Sequence, residues 1–429
     1  MTDLAAIPGA SELFDLDPAH IACPYPTFAA MRETAPVAWH DKLEAFAVTS
    51  YDLILEVLRQ PERFSSRSAT GPAGDRRMMR MMLDVLQSDP ELAEVAGQLL
   101  ESGNTTVLLQ ADPPDHPRQR ALVNRSFTPG AIRRLHDQIV AATDALIERF
   151  ADRGEVELVS EFAIPLPMTM ISTAVGVSLD RMDDFMQWSR VLVNVIGKGE
   201  VERDEVPAFI HTRVAMAEYL SSVVAERGAD PKDDLISQLV HAEIEGERLT
   251  ADEVVSMVVQ FLLAGNHTTA MLIAGSMLRL SDDPALADRL RAEPGLMEPF
   301  LEEVLRTTPP INGTYRIALE DYELGGVAIP AGAALWLVYA SANRDPNHFE
   351  DPDDFRCPNS SKSQHLAFGF GAHYCLGAAL ARAEASVAIG RLLDRCHEIR
   401  LAVEADAVAF ERSFMLHGLQ SLPLKFAVA

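Results

Sequence analysis

The longest apolar stretch of the chain limits its possible folds more than any other feature. Between Val254 and Leu278 there is no Asp, Glu, Lys or Arg, which is long enough for a helix to cross a bilayer. Its middle, however, is the polar run Gly265–Thr269, which would be costly in lipid. Just before the stretch, Thr250 and Glu253 form a capping-box pattern that begins a helix. The stretch is therefore predicted to be the buried central helix of a large soluble protein.

The rest of the chain has mainly helical spacing of apolar residues. A short β-hairpin is predicted at Val37–His40 and Phe46–Thr49, and further β-structure between Tyr315 and Val338. No repeat or Pro/Gly/Ser-rich linker divides the chain, so we expect one domain over residues 1–429 with a mostly-α fold and a small β part. The predicted helices are Tyr51–Leu58, Gly130–Ala151, Arg181–Ile196, Val206–Arg227, Asp233–Glu243, Glu298–Thr307 and Ala378–Asp394.

The segment Ser65–Gln110 is expected to be irregular. Four methionines stand beside three arginines between positions 76 and 82. Flexible methionines suit an adaptable apolar surface, which favours a lid over a lipophilic pocket. A helix with a buried methionine face and a solvated arginine face explains the pattern equally well.

Charge and cysteine content argue against several classes of protein. With 37 Lys plus Arg against 63 Asp plus Glu, the formal net charge is −26, and such a chain would repel the phosphates of nucleic acid. The four cysteines form no C-x-x-C pair, so neither a disulfide framework nor a structural zinc site is indicated. The N-terminus has no basic region followed by an apolar run, so no signal peptide is predicted. We expect a cytoplasmic protein that binds neither nucleic acid nor membrane.

The sharpest chemical signal is the segment Phe368–Gly377, which reads FGFGAHYCLG and precedes the predicted helix at Ala378. Glycines around Cys375 let the backbone approach a bulky planar group where side chains would clash. A cysteine at a helix N-terminus lies beside unpaired N–H groups and the positive end of the helix dipole, which favour the thiolate. Such a thiolate is a competent ligand for haem iron.

This segment is similar to the F-G-x-G-x-H-x-C-x-G signature of the cytochrome P450 family, the haem-thiolate monooxygenases, and matches it completely. The resemblance covers most of the chain. It implies the P450 fold, with a long central helix over a buried haem b (iron protoporphyrin IX). It also implies that Cys375 ligates the iron, with Phe368, Gly369 and Gly377 beside the haem.

Glu303 and Arg306 fit a second motif of the family, E-x-x-R. At this spacing both side chains lie on one helix face and can form an ion pair. The resemblance implies that this pair locks the fold. The family often has an arginine near the position of Asn359 to complete the network; here only Arg356 is close in sequence, so the third member stays open.

Haem propionates are anionic and require Arg and His donors. His116 and Arg120 resemble the H-x-x-x-R segment of the bacterial members of the family. Arg316 and His365 match the other two propionate partners. The resemblance therefore implies a set of four cofactor-binding residues beyond the cysteine loop.

The segment Ala264–Thr269 is similar to the A-G-x-D/E-T-T motif of the family. Ala264 and Gly265 would leave room for dioxygen beside the haem, and Thr268 would control proton delivery. The Thr268 hydroxyl can also bond back to a carbonyl in the preceding turn, and both roles are compatible. His267 departs from the motif, which has a carboxylate there. An imidazole can relay protons near neutral pH, but a buried histidine without a catalytic role explains it equally well.

The resemblance implies insertion of one oxygen atom from O2 into an organic substrate, with electrons from NAD(P)H. Because the chain ends soon after the Cys375 helix, we expect separate redox partners, a ferredoxin and an NAD(P)H-dependent ferredoxin reductase. They would dock on the cysteine side, where Arg118, Arg125 and Arg382 can form a local basic patch.

A small, largely apolar substrate is expected, and the arginines at 76, 77 and 80 weakly favour one that bears a carboxylate. By family register, the residues expected to line its pocket are Leu263, Ala264, Thr268, Ile311 and Asn312. Two alternatives stay open. A haem-thiolate peroxygenase has only His267 in its favour, and a non-catalytic haem-binding sensor or carrier is compatible with the same motifs.

Overall fold

The computed structural model of the chain describes residues 4–68, 71–101, 105–198, 202–359 and 364–428. Within these ranges the protein is mainly helical. The α-helices are α1 (Ala10–Phe14), α2 (Pro18–Ala22), α3 (Tyr25–Thr34), α4 (Tyr51–Leu58), α5 (Pro72–Ser88), α6 (Pro90–Glu101), α7 (Asp115–Asn124), α8 (Pro129–Glu148), α9 (Pro165–Val175), α10 (Met182–Lys198), α11 (Val206–Ala229), α12 (Leu235–Val240), α13 (Ala251–Asp282), α14 (Pro284–Ala292), α15 (Met297–Thr307), α16 (Tyr339–Ala342) and α17 (Ala378–Arg395).

The β-structure is a minor part of the fold. The strands are β1 (Val37–His40), β2 (Ala45–Val48), β3 (Phe64–Ser65), β4 (Glu155–Glu157), β5 (Glu243–Ile244), β6 (Glu247–Arg248), β7 (Thr314–Ala318), β8 (Tyr322–Leu324), β9 (Val327–Ile329), β10 (Ala334–Leu337), β11 (Cys396–Leu401) and β12 (Pro423–Val428). They form a mixed sheet in the order β1-β2-β10-β7-β3, a sheet in the order β11-β12-β4, and the pairs β5-β6 and β8-β9. The mostly-α fold with a small β part is thereby confirmed.

Most elements predicted from the sequence occur in the structure. The hairpin is present as β1 and β2, with Val37 paired to Val48. The helix predicted over 233–243 is shorter. Asp234 caps the start of α12, and the hairpin β5–β6 follows it with Gly246 at a φ of 86° in the turn.

The segment Ser65–Gln110 is not irregular, contrary to the expectation from its sequence, because it contains helices α5 and α6. Met78, Met81 and Met82 pack against buried residues of α5, α6 and α11, whereas Met79 is 54% exposed. Packing against α11 supplies the apolar surface that the local sequence pattern does not reveal. The arrangement agrees with a helix whose methionine face turns inward.

Helix α13 runs through the centre of the protein. The predicted capping box is confirmed, because Thr250 Oγ1 accepts a hydrogen bond from the Glu253 N–H (3.1 Å) and the Glu253 carboxylate accepts one from the Thr250 N–H (2.8 Å). The helix is long and apolar enough to cross a membrane by length and composition alone. It contacts α9, α11 and α17, and 61% of its most apolar window is buried inside the protein, as in a core helix.

Two further elements position the residues of interest. Strand β7 carries Arg316 and pairs with β10, whose Trp336 is fully buried against Phe14 and Phe414. Helix α17 begins directly after the Cys375 loop and packs on α8, α13 and α15. The loop is thus held between the sheet and the helical core.

Candidate active site

Cys375 lies in a tight loop that leads into helix α17. Its N–H donates a hydrogen bond to the carbonyl oxygen of Phe368 at 2.9 Å, which closes the loop. Gly369 and Gly371 both have a φ of 71°, in the left-handed region where a side chain is strained. The loop itself therefore requires these two glycines, before any approach of a ligand is considered.

One stripe of α13 is only partly covered by other protein groups. Ala264 is exposed, and Leu263, His267 and Thr268 are partly exposed, although they lie at the middle of a mostly buried helix. Their spacing of three and four residues places them on one helix face. We call this face the open stripe of α13.

The cysteine loop and the open stripe belong to the same part of the interior. Leu376, directly after Cys375, packs against the hydrophobic cluster that contains Phe261 and Leu262 of α13. Gly377 is the N-cap residue just before α17, and a Cβ atom built on it would meet no atom of the described residues beyond its chain neighbours within 4 Å. The backbone beside Cys375 is therefore free of side chains at this point.

Burial is the largest influence on the Cys375 thiol and raises its pKa. The surrounding protein has this effect even though part of the residue is accessible at a surface of the protein. The N–H groups of Gly377 and Ala378 and the charges of Arg120 and Arg382 act in the opposite direction. The helix N-terminus thus favours the thiolate as the sequence indicates, but burial outweighs it. A coordinated metal cation reverses this balance, since it deprotonates a thiol ligand.

A cluster of cationic and histidine side chains lies beside the loop. Arg120 donates a hydrogen bond to the carbonyl oxygen of Tyr374 (2.8 Å), and the rings of His116 and His373 have centroids 4.0 Å apart. Burial, followed by the charges of Arg316, His116 and Arg120, lowers the pKa of His373 to about 3. Among the described residues, no carboxylate forms an ion pair with Arg120 or Arg316. We call these four side chains (His116, Arg120, Arg316 and His373) the cationic cluster.

The structure does not bring His365 into the cationic cluster, which corrects its assignment to a propionate. His365 Nε2 lies 3.1 Å from a carboxylate oxygen of Glu302, and its Nδ1 accepts a hydrogen bond from the Ala367 N–H. Glu302 also pairs with Arg382, whose guanidinium lies over the Phe368 ring. His365 therefore braces the start of the cysteine loop. His373 lies in the cluster instead, a position that its sequence context did not reveal.

Glu303 and Arg306 form a bidentate ion pair at 2.7 and 2.9 Å, with side chains only 1% and 4% exposed. Arg306 also donates to the carbonyl oxygens of three residues between 343 and 354. The third member of the network, left open by the sequence, is Asn359, whose amide donates to Glu303 at 2.8 Å. The backbone N–H of Arg356 adds a further hydrogen bond to Glu303.

The small residues of α13 differ in their surroundings. Ala264 lies on the open stripe, whereas a Cβ built on Gly265 would contact Ile171 of α9 at 3.7 Å. Gly265 therefore faces the neighbouring helix. The Thr268 hydroxyl donates to the carbonyl oxygen of Ala264 at 2.7 Å, as the alternative interpretation of this residue predicts.

His267 has a partner that the sequence did not reveal. Its Nε2 lies 2.9 Å from Oε2 of Glu411, in the segment before β12. The Glu411 N–H donates to the carbonyl oxygen of Gly418, and the Asn312 amide donates to the carbonyl oxygen of Phe414. The Glu411–Gly418 bond closes the segment 410–419 on itself. The contacts of His267 and Asn312 attach this segment to α13 and to the residues between α15 and β7. Asn312 is buried in this role, which removes it from the expected pocket lining.

The donor set fits a haem. The Cys375 thiol suits iron. The cationic cluster suits the carboxylates that a haem carries, because no carboxylate in the described ranges neutralises Arg120 or Arg316. Arg120 links the two through its bond to Tyr374, the residue before Cys375. This combination on a mostly helical fold defines the class of haem-thiolate proteins.

The family follows from a direct comparison. The family model described as Cytochrome P450 matches residues 87–416. The chain therefore belongs to the cytochrome P450 family. Members of this family bind haem b and are monooxygenases, which are oxidoreductases.

Known relatives agree with this assignment. Cytochrome P450 107B1 from Saccharopolyspora erythraea is 41% identical over 319 residues, which cover 74% of this chain and 76% of that protein. Steroid C26-monooxygenase from Mycobacterium tuberculosis is 33% identical over 399 residues, covering 92% and 98%. The structure of cytochrome P450 CYP109Q5 from Chondromyces apiculatus superposes with a TM-score of 0.82 at 30% identity, covering 100% and 98%. The resemblance read from the sequence is thus confirmed.

Proposed function

We propose that this cytochrome P450 inserts one oxygen atom from O2 into a largely apolar organic substrate bound against the open stripe of α13. The observation that carries the proposal is the link between Cys375 and the cationic cluster through the Arg120–Tyr374 hydrogen bond. It supports a haem b held by the Cys375 thiolate on one side and by His116, Arg120, Arg316 and His373 at its carboxylates. Bound haem supplies the iron at which dioxygen is reductively activated.

Three residues of the protein would handle protons at this site. The Thr268 hydroxyl donates to the Ala264 carbonyl in the resting arrangement, and rotation about its side-chain bond turns the same O–H toward the open stripe. His267 is adjacent in sequence and partly exposed on that stripe. With Glu411 as the acceptor, neutral His267 carries its proton on Nε2 and presents Nδ1 as an acceptor. We infer that Glu411 supplies, through His267, the carboxylate that the family motif places in helix α13 itself.

Bacterial members of the family receive electrons from redox partners. For this chain we propose a ferredoxin and an NAD(P)H-dependent ferredoxin reductase. Of the three arginines expected to form the docking patch, Arg118 is paired with Glu253 and Arg382 with Glu302. Arg125 is exposed, and so is Arg59, whose guanidinium lies over Phe370 in the cysteine loop. Arg59 and Arg125 are therefore the better candidates for the patch.

The remaining expectations form part of the same proposal. The protein would act as a single domain in the cytoplasm, since helix α13 is buried inside it and would not anchor it to a membrane. Leu263, Ala264, Thr268 and Ile311 would line the apolar pocket, with the segment around Leu416, which pairs with Ile311.

Turnover separates this proposal from its alternatives. Purified protein, NADH and a surrogate ferredoxin and reductase pair should convert an apolar substrate with incorporation of one atom from labelled O2. A peroxygenase would give product only with added hydrogen peroxide. A sensor or carrier would give product under neither condition.

A further inference from the structure

One arginine lies at the centre of the buried face of helix α11. Val206, Leu220 and Val224 are 0–5% exposed and share this face at helical spacing. Arg213 lies between them on the same face, yet its side chain is only half-buried. The buried face of α11 is therefore partly accessible around Arg213, where Ala217 is also only half-buried, and a charged side chain fills this opening.

The gap lies between two hydrophobic clusters. On the N-terminal side of Arg213, Val206 and Ile210 pack against Leu92 and Ala96 of α6. On its C-terminal side, Met216, Leu220 and their neighbours pack in the cluster formed with Met257, Val258, Phe261 and Leu262 of α13. Arg213 thus faces the region between α6 and α13, next to the part of α13 that begins the open stripe.

Arg213 has no counter-ion within the described part of the chain. No hydrogen bond, ion pair or ring contact with another described residue involves it, and burial alone lowers the pKa of its guanidinium, with no described carboxylate acting against it. Arg227, on the same helix face, is paired in the way that is usual for a buried arginine. It donates hydrogen bonds to the Asp234 carboxylate and to the carbonyl oxygen of Gly176. A guanidinium stays charged in proteins, and a charge turned inward is normally paired.

We propose that Arg213 binds an anionic group, a carboxylate or a phosphate, on the molecule that enters the region between α6 and α13. This proposal deepens the proposed function, because it assigns a chemical class to the substrate: an apolar body with one anionic end. A planar guanidinium can hold either group through two parallel hydrogen bonds.

The arginines that first indicated a carboxylate are less suited to this role. Arg76 pairs with Glu44, and Arg77 donates to the carbonyl oxygen of Lys42, so both are engaged at the surface beside β2. Arg80 is exposed on α5. It therefore serves as a matched control, since it has the same charge without the position on the buried face.

Binding of single-chain amphiphiles tests the proposal on the haem-loaded protein. Dodecanoate, dodecyl phosphate and methyl dodecanoate have the same apolar chain and differ in the charge of one end. Isothermal titration calorimetry measures their affinities for wild type, Arg213→Gln, Arg213→Lys and Arg80→Gln without depending on turnover.

We expect the wild type to bind one of the anionic probes more tightly than the methyl ester. Arg213→Gln should weaken that binding by about tenfold or more while changing affinity for the ester by less than about twofold, because one charge-assisted contact is lost. Arg213→Lys should lie between the two, and Arg80→Gln should match wild type. The anionic probe that shows the effect identifies the carboxylate or the phosphate as the preferred group.

The proposal would be overturned if Arg213→Gln weakened binding of the anionic probes and of the methyl ester equally. It would also be overturned if the wild type bound neither anionic probe more tightly than the ester. Stability gives a second criterion. Because Arg213 has no partner among the residues that the structure describes, Arg213→Gln should leave the thermal midpoint unchanged or raised, whereas Arg227→Gln should lower it. The spectrum of the reduced carbon monoxide complex reports the haem-thiolate assignment separately, so failure of the anion site and failure of the proposed function are distinguishable.

Discussion

His267 Nε2 lies 2.9 Å from Glu411 Oε2, across 144 residues of sequence. The family motif places a carboxylate at the position of His267. In this chain the position holds an imidazole, and the carboxylate is that of Glu411, which contacts this imidazole. The pair is largely shielded, with the side chains 12% and 28% exposed. The histidine that replaces the carboxylate of the motif therefore has a specific partner in the fold, Glu411.

We predict that His267→Phe uncouples turnover. The phenyl ring fills the same space but cannot carry a proton, so product formed per NADH should fall by about tenfold or more. Glu411→Gln keeps a hydrogen-bond partner for the imidazole but removes its charge, so its yield should lie between wild type and His267→Phe. The measurement is product and hydrogen peroxide per NADH consumed.

Glu404→Gln, an exposed position in the same C-terminal region, is the control and should behave as wild type. An unchanged product yield in His267→Phe would show that the histidine has no part in proton delivery. A low yield in that variant with a normal yield in Glu411→Gln would limit the role to His267 itself.

We predict that Glu303→Ala severely destabilises the protein. It leaves the 4%-exposed Arg306 guanidinium without its carboxylate, and breaking a buried pair in this way costs about 3–5 kcal/mol. The free energy of unfolding in urea and the fraction of protein that retains haem measure the effect. Glu243→Ala removes an exposed ion pair with Arg248, which is worth only about 0–1 kcal/mol, so similar losses in both variants would contradict the account.

The acid dependence of stability should report on Glu302. Burial opposes its ionisation, but hydrogen bonds from His365 and Arg382 outweigh it and lower the pKa of Glu302 from 4.5 to about 2. A carboxyl group whose pKa is depressed by folding stabilises the native state above its ordinary pKa, and this contribution is lost as pH falls toward the native pKa. Glu302→Gln should therefore destabilise most above pH 4.5, and the difference from wild type should shrink as pH falls toward 2.

Urea unfolding across that pH range measures the difference, with Glu247→Gln, an exposed carboxylate, as the control. A gap between Glu302→Gln and wild type that stays constant with pH would contradict the assigned cause.

We predict that Arg59→Glu combined with Arg125→Glu slows reduction by a ferredoxin. Charge reversal on a docking surface lowers the rate of association, and added salt screens the effect. Stopped-flow reduction of the haem at several ionic strengths measures it, with the exposed Arg80→Glu on α5 as the control. Equal rates in the double variant and wild type at low salt would remove Arg59 and Arg125 from the docking surface.

The sequence predicted the elements whose determinants are local. The capping box at Thr250 and the apolar period of α13 lie within one segment, and both appear as predicted. The segment Ser65–Gln110 was harder to predict, because its methionines find their apolar partners on α11, more than 100 residues later. The short α12 likewise reflects a cap and a following hairpin that compete with its helical period.

The site residues likewise divide into those that a local motif predicts and those that depend on distant contacts. Motif spacing brings out Cys375, Arg120 and Arg316, and the structure brings these close to one another around the loop. Motif spacing does not decide between His365 and His373, because which of them joins the cluster depends on how the loop between them folds. Glu411 has no motif around it, so only the folded chain reveals that it meets His267.

The most direct test of the central claim is the absorption spectrum of the dithionite-reduced protein under carbon monoxide, recorded beside a Cys375→Ser variant. Thiolate ligation by Cys375 predicts a strongly red-shifted Soret band in the intact protein that the variant lacks. An unshifted band in the intact protein, or the same shifted band in both, would contradict ligation by Cys375 and with it the proposed monooxygenase site.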